Sequence, residues 1–338
     1  MELVDKELRS KWENEQKIIA SKISIYPDKD LNSFDLPVSD EDRLFGGVDI
    51  SFANTPKDDS SACSAVAVYV VTKGKSKVVY QDSIFVQINV PYVPSFLAFR
   101  EIDAYETLIK KQLELYSQFT PCMILVDGNG IWHPRGAGIA CFIGVKTGIP
   151  TIGVSKTFYN LNGLTEKFVR SHIDARVQNF ICTRSTRSPF LSQKPYIVYD
   201  KNALKPGDIL SGDILSGDIL SGDILSITGT KSSFNSYDFF SDICKGYALL
   251  LESNPNPQEA CGAALVGHGG DKMVNKTMHR RTKRPIFISV GHQVSLQQAV
   301  QVCASLSKSR IPEPIRIADS LGRQLIKKSE EAKCIKQK

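Results

Sequence analysis

Residues 122–155 read CMILVDGNGIWHPRGAGIACFIGVKTGIPTIGVS, and this stretch decides the architecture. CMILVDG (122–128) is a short apolar run that ends on an acid, as a strand buried on both faces does. Gly128, Gly130, Gly136 and Gly138 then supply a turn, GIACFIGVKTG (138–148) reads as a helix of small residues, and PTIGVS (150–155) reads as a second buried strand. Strand, helix and strand joined this closely imply parallel pairing, and hence an α/β sheet covered on both faces.

Upstream, FGGVDISF (45–52), SACSAVAVYVVT (61–72) and KVVYQDSIFVQI (77–88) are rich in β-branched and aromatic residues, with a turn at Lys73–Ser76. They predict an antiparallel three-stranded meander. Phe96, Leu97, Phe99, Ile102, Tyr105, Leu108, Ile109 and Leu113 recur at helical spacing, which predicts a core-facing helix over 96–116. Val4, Leu8, Trp12, Ile18, Ile19 and Ile23 do the same for an amphipathic opening helix. Downstream, GAALVG (262–267) and PIFISVGH (285–292) read as strands, 295–306 as a helix, and 311–328 as containing a last helix after its prolines. The expected fold is therefore α/β, an antiparallel meander followed by parallel strands and flanked by helices.

The expected organisation is an N-terminal helix and linker over 1–43, one domain over 44–328 interrupted by an insertion at about 183–260, and a basic tail over 329–338. Four tandem copies of Gly-Asp-Ile-Leu-Ser fill 207–226. Four short copies stack into too little to build a solenoid core, so they read as an expanded loop.

The 338 residues carry 42 Lys+Arg against 36 Asp+Glu, a net charge of +6, and are 42% hydrophobic. That composition excludes a wholly disordered or fibrous chain. Residues 270–338 hold 15 basic and 5 acidic residues, and HRRTKR (279–284) is their densest cluster. A basic segment on a slightly acidic body suits a polyanionic partner better than a membrane. The eight cysteines stand alone without zinc-like spacing, and the charged N-terminus lacks a signal-like apolar run, so reduced thiols in a cytosolic or nuclear protein are expected.

Four carboxylates stand in unusual settings. Asp49 lies inside an apolar strand, Asp127 ends another, Glu101 sits one turn into the 96–116 helix, and Asp319 lies in the last helical segment. An acid on a core strand is costly unless paired, hydrogen-bonded or metal-bound, although a lone strand-end Asp is often only a cap. A cluster of hard oxygens would suit Mg²⁺ and phosphodiester hydrolysis. His133 in IWHPRG could orient a water or contact a phosphate, or simply face solvent. Lys156 could meet phosphate as a point charge, or lie exposed at a strand end. Tyr92, on the proline-stiffened PYVPSF loop (91–96), could wedge between bases or staple the next helix.

The segments GGVDISF (46–52), PYVPSFLAFRE (91–101), LVDGNGIWHPRGAGIACFIGV (125–145), PTIGVSK (150–156), ISVGHQVSL (288–296) and RIPEPIRIAD (310–319) closely resemble the endonuclease V family. The likeness spans about 45–170 and 262–323. It implies a ribonuclease H-like fold and hydrolysis, dependent on Mg²⁺ or Mn²⁺, of the second phosphodiester 3′ to inosine, leaving 3′-hydroxyl and 5′-phosphate ends. By motif it implies that Asp49, Glu101, Asp127 and Asp319 hold the metal, that His133 and Lys156 assist near the phosphate, and that Tyr92 is the wedge. Leu97, Gly128, Gly130, Gly138 and Ile139 would line the base pocket. Ser95 replaces the family's usual glycine beside that pocket, which puts base specificity in question.

The expectation from sequence is thus a monomeric endonuclease acting on inosine in single-stranded RNA or DNA, in the cytoplasm, the nucleus or both, the nucleolus included. The long insertion and free cysteines lean towards RNA. Two alternatives are a non-catalytic inosine or RNA binder that uses the basic C-terminal surface, and a ribonuclease H-like nuclease of other specificity.

Overall fold

The computed structural model describes residues 6–26, 43–53, 63–161, 165–167, 169–170, 247–252, 260–266 and 284–336. The Gly-Asp-Ile-Leu-Ser repeats, the linker before residue 43 and nearly all of the HRRTKR cluster lie outside the described residues.

β1 (Leu44–Phe52), β2 (Cys63–Lys73) and β3 (Lys77–Ile88) form the expected antiparallel meander. β4 (Met123–Asp127) joins the other side of β1 in parallel, and β5 (Thr151–Ser155) joins β4 the same way. The parallel run stops there. β8 (Ile286–His292) pairs antiparallel with β5, β7 (Ala260–Val266) with β8, and β6 (Tyr247–Glu252) with β7, giving an eight-stranded mixed sheet in the order β3-β2-β1-β4-β5-β8-β7-β6. β8 is buried along its whole length, and a continuous apolar run looks the same in either direction, so the sequence left its direction open.

Among the described residues, helices pack on both faces of the sheet. α1 (Lys6–Ser21), α2 (Ala98–Leu115) and α3 (Ile139–Thr147) contribute to the core that buries Val48, Tyr69, Ile124 and Val126. α4 (Leu296–Leu306) and α5 (Glu313–Lys336) pack on the opposite face, over Phe45, Met123, Leu125, Ile152 and Val154 and over Val66, Val68 and Val70. Alternate strand residues thus feed cores on opposite faces of the sheet, as the pleat requires. α4 opens on a capping box in which Ser295 and Gln298 satisfy each other's backbone N–H groups.

Three boundaries differ from expectation. β6 falls within the segment assigned to the insertion, so the sheet resumes earlier than residue 260. α5 runs on to Lys336, so residues 329–336 are helix and the expected tail is its last turns; charged side chains on an outward face are compatible with helix. In α1 the buried stripe is Trp12, Gln16 and Ile19, while Leu8 and Ile18 are 40% and 45% exposed, so the apolar face is narrower than the spacing suggested.

Close packing fixes the turn after β4. A Cβ on Gly153 of β5 would lie 2.3 Å from the backbone nitrogen of Gly130, and one on Gly130 would lie 2.0 Å from the carbonyl oxygen of Val290 in β8. The turn is therefore threaded between two strands with room for backbone only. Gly153→Ala is expected to lower unfolding free energy by about 3 kcal/mol, measured by urea denaturation, because the opposing atoms are backbone and cannot step aside.

Candidate active site

The strand register brings the two core acids together. Val48 of β1 lies opposite Val126 of β4, so the next rung sets Asp49 beside Asp127 where β4 ends. The two carboxyl groups are close enough for Asp127 to raise the proton affinity of Asp49. α5 crosses this point closely: a Cβ on Gly47 would meet the backbone of Pro314 at 2.4 Å, and one on Gly322 would meet Ser51 Oγ at 2.5 Å. Asp319 lies between those contacts on the same helix and completes the approach from above. From α2, Glu101 enters as a buried acid in the first turn, where the helix N-terminus favours negative charge. Tyr105, one turn on, donates its hydroxyl to Glu101 Oε2 at 3.4 Å.

Burial and like charge dominate the electrostatics. Burial, then the neighbouring Asp127, pushes Asp49 up to about 8, with Asp319 adding to the rise. Glu101 is pushed up to about 8 by burial and then by Asp127, against the opposing pull of Tyr105 and Arg100. Lys156, just beyond β5, is the counter-charge: burial works against its ammonium, but Asp127, Asp49 and Asp319 outweigh it and raise its proton affinity. Its Nζ contacts Asp127 Oδ2 directly. Asp319 also pairs with Arg323 at 2.8 Å.

Among the described residues no three His, Cys, Asp or Glu side chains are gathered closely enough to hold a metal ion as they stand. The chemistry of the set nevertheless fits a hard divalent cation. Acids of which two retain protons near neutrality, through burial first and mutual repulsion second, are relieved by positive charge, and all four supply oxygen.

A second group of residues surrounds the 91–97 loop. Tyr92 is 60% exposed, with the Arg100 guanidinium 5.7 Å from its ring centroid and 5.1 Å from that of Phe52. Its ring is presented to solvent, and this excludes a buried staple. Ser95 has φ 67°, a left-handed conformation costing a residue with a Cβ about 1–2 kcal/mol. The usual family glycine at this position has that backbone reason. Leu97, half-buried, directly precedes α2.

Gly128, Gly130, Gly138 and Ile139 are all buried around the turn after β4. A Cβ on Gly128 would meet Ile139 Cγ2 at 2.4 Å, and one on Gly138 would meet the Asn129 carbonyl oxygen at 2.2 Å. These residues pack the turn tightly onto α3. His133 is also buried, and both ring nitrogens are engaged: Nδ1 accepts from the Arg135 backbone N–H at 3.2 Å, and Nε2 lies 3.0 Å from the Ser95 carbonyl oxygen. Nε2 therefore carries the proton and donates. Burial, then the Arg135 charge, lowers the His133 pKa to about 4, so the ring is neutral at pH 7.

Two participants had no role assigned from sequence. Arg135 stands in the HPR triplet, and Gln16 is a fully buried amide in the apolar stripe of α1. The signal for Gln16 was present: a polar residue four positions after Trp12 and three before Ile19, on the buried face.

The acid cluster makes a pH prediction. Asp49 holds its proton to about 8 when folded but releases it near 3.8 when unfolded. Between those values the native state binds more protons, so Asp49 destabilises the cation-free fold increasingly as pH rises. Asp49→Asn is expected to stabilise the protein by an amount that grows from pH 4 to pH 8 and then levels off, read from chelator-treated thermal unfolding across that range.

The profile of the Endonuclease V family matches residues 32–188 and 244–320. Endonuclease V of Homo sapiens is 29% identical over 324 residues, covering 96% of this chain and 85% of its own. Endonuclease V of Ignicoccus hospitalis is 40% identical over 282 residues, covering 83% and 81%. The crystal structure of Ciona intestinalis Endonuclease V in complex with a 24mer DNA containing an inosine followed by a ribo-adenosine matches with a TM-score of 0.61 at 25% identity, over 96% of this chain and 99% of that one. The sheet is thus of the ribonuclease H-like kind, and with the profile covering most of its length, this chain belongs to the endonuclease V family.

Proposed function

We propose that the protein is a divalent-metal-dependent endonuclease that hydrolyses a phosphodiester 3′ to inosine in single-stranded RNA or DNA, leaving 3′-hydroxyl and 5′-phosphate ends. The observation that carries this reading is the pairing of the buried Asp49 with the partly buried Asp127, flanked by Glu101, Asp319 and the Lys156 ammonium. A fold gains nothing from a buried carboxyl set against a partly buried one and held by one lysine, and the arrangement makes sense as a cation site. The inosine-containing DNA held by the Ciona relative supports the substrate class.

Asp49, Asp127, Glu101 and Asp319 are the residues that would hold Mg²⁺, or Mn²⁺ in its place. When bound, such an ion supplies Lewis acidity that neutralises charge on the leaving oxygen and makes water a better nucleophile. Lys156, freed from part of its duty to Asp127, becomes available to a phosphate oxygen as a point charge. Tyr92 offers an exposed ring on which a neighbouring base can stack, and Arg100 beneath it holds the ring in place. A base turned out of the strand would rest against Leu97, Ser95 and the Gly128, Gly130, Gly138 and Ile139 turn.

Cleavage of matched RNA and DNA oligonucleotides carrying one inosine tests the reading. With Mg²⁺, one product with a 5′-phosphate is expected; Asp49→Ala or Asp127→Ala should lower the rate on the order of a thousandfold while far-UV circular dichroism is unchanged. No cut on either polymer removes the function, and salt-sensitive binding without product would identify a binder instead.

A further inference from the structure

Every polar atom of the strained Ser95 is engaged. Its carbonyl oxygen accepts from Gln16 Nε2 at 3.0 Å, His133 Nε2 at 3.0 Å and an Arg135 guanidinium nitrogen at 2.7 Å. Its Oγ accepts from the same Arg135 nitrogen at 2.7 Å, and its N–H donates to Tyr159 Oη at 3.1 Å. Three donors on one carbonyl exceed what its two lone pairs need, so the position is over-determined.

The donors are themselves held. Gln16 also donates to the Ala137 carbonyl at 3.3 Å, and its Oε1 accepts from Arg135 Nε. The Arg135 guanidinium lies 4.1 Å from the Phe96 ring centroid. Trp12, one turn before Gln16, stacks on Phe99 at 5.1 Å and tilts against Phe96 at 5.5 Å. Around His133 stand the Arg135 charge, the Tyr159 ring edge-on at 5.6 Å and the Ser95 backbone. Glu13 and Arg9 of α1 act on Arg135 from behind. Three stretches remote in sequence, α1, the Tyr92 loop and the HPR turn, thus meet on one oxygen atom.

We infer that Gln16, His133 and Arg135 are positioning residues that clamp the Ser95 carbonyl and so fix the Tyr92 loop for substrate, with His133 serving as a neutral hydrogen-bond donor and taking no part in proton transfer. The substrate part of this rests on the function proposed above. It adds α1, through Gln16, to the machinery that sets substrate recognition. It also gives Ser95 a purpose that glycine lacks, since its hydroxyl supplies a second acceptor to Arg135.

The test compares wild type, His133→Ala, His133→Gln and Gln16→Leu by two readouts. One is hydrogen exchange of the peptide spanning 91–97 without nucleic acid; the other is KM and kcat on a single-inosine oligonucleotide with Mg²⁺. His133→Ala is expected to speed exchange about tenfold and raise KM about tenfold with kcat little changed. His133→Gln, whose amide still reaches the carbonyl, should recover most of both, which generic destabilisation would not allow. Loss of kcat in both His133 variants with unchanged exchange would overturn the inference and make His133 a catalytic residue. If wild type cuts no inosine substrate, the proposed function fails, while exchange still decides the clamp: unaltered exchange in both His133→Ala and Gln16→Leu overturns it, and faster exchange upholds it. Should His133→Ala fail to fold, Gln16→Leu carries the same comparison.

Discussion

Two carboxyl groups forced side by side at the end of a parallel strand pair are the constraint on which this site depends. Once β1 and β4 pair with Val48 opposite Val126, Asp49 and Asp127 have nowhere else to go. Unpaired, such a couple would be among the costliest features of the fold. It is tolerated because Asp49 keeps its proton near neutrality and because the Lys156 ammonium reaches Asp127 from the next strand. Both remedies are local and reversible. A proton and an ammonium can each yield to a stronger positive charge, which is what the proposed cation site asks of them.

The surrounding packing keeps that geometry while leaving little room to adjust. The turn after β4 passes between β5 and β8 with backbone against backbone at Gly130 and Gly153. The Gly130 N–H donates to Ser289 Oγ at 2.8 Å, and the Ile131 N–H to the Val290 carbonyl at 2.7 Å, which pins the turn to β8 as well. α5 lies so close over β1 that Gly47 meets the Pro314 backbone. Asp319 and Asp127 therefore arrive from elements that are fixed independently, and the acids converge through rigid supports.

The sequence was legible where local pattern and burial agree. Asp49 and Asp127 stood out because two acids on separate apolar strands are costly unless paired or metal-bound, and Glu101 because it falls among apolar neighbours of a helix. Asp319 offered no such contrast: it sits on a helix with charged neighbours and pairs with Arg323 one turn on, like any surface acid. Only the family motif singled it out. The antiparallel pairing that carries the sheet on from β5 through β8, β7 and β6 was hidden for a different reason, since a fully buried strand such as β8 does not encode the direction of its neighbours. Gln16 was overlooked because its place in the apolar stripe signals burial without naming the partner it satisfies, and that partner lies 79 residues away.

His133 illustrates how a motif's residue type and its chemistry can part. Its place in IWHPRG, six residues after Asp127, suggested a group that faces phosphate. Yet a histidine that handles protons needs one nitrogen free towards the reacting atoms and a pKa near the working pH. Here both nitrogens are committed to the backbone of Ser95 and Arg135, and burial beside a guanidinium keeps the ring neutral. One of these two hydrogen bonds, from Nε2 to the Ser95 carbonyl, helps hold Ser95 in a left-handed conformation it would not choose. The free-energy cost of Ser95 is thus offset by donors drawn from α1 and the HPR turn, so the Tyr92 loop is held by contacts remote from the acids.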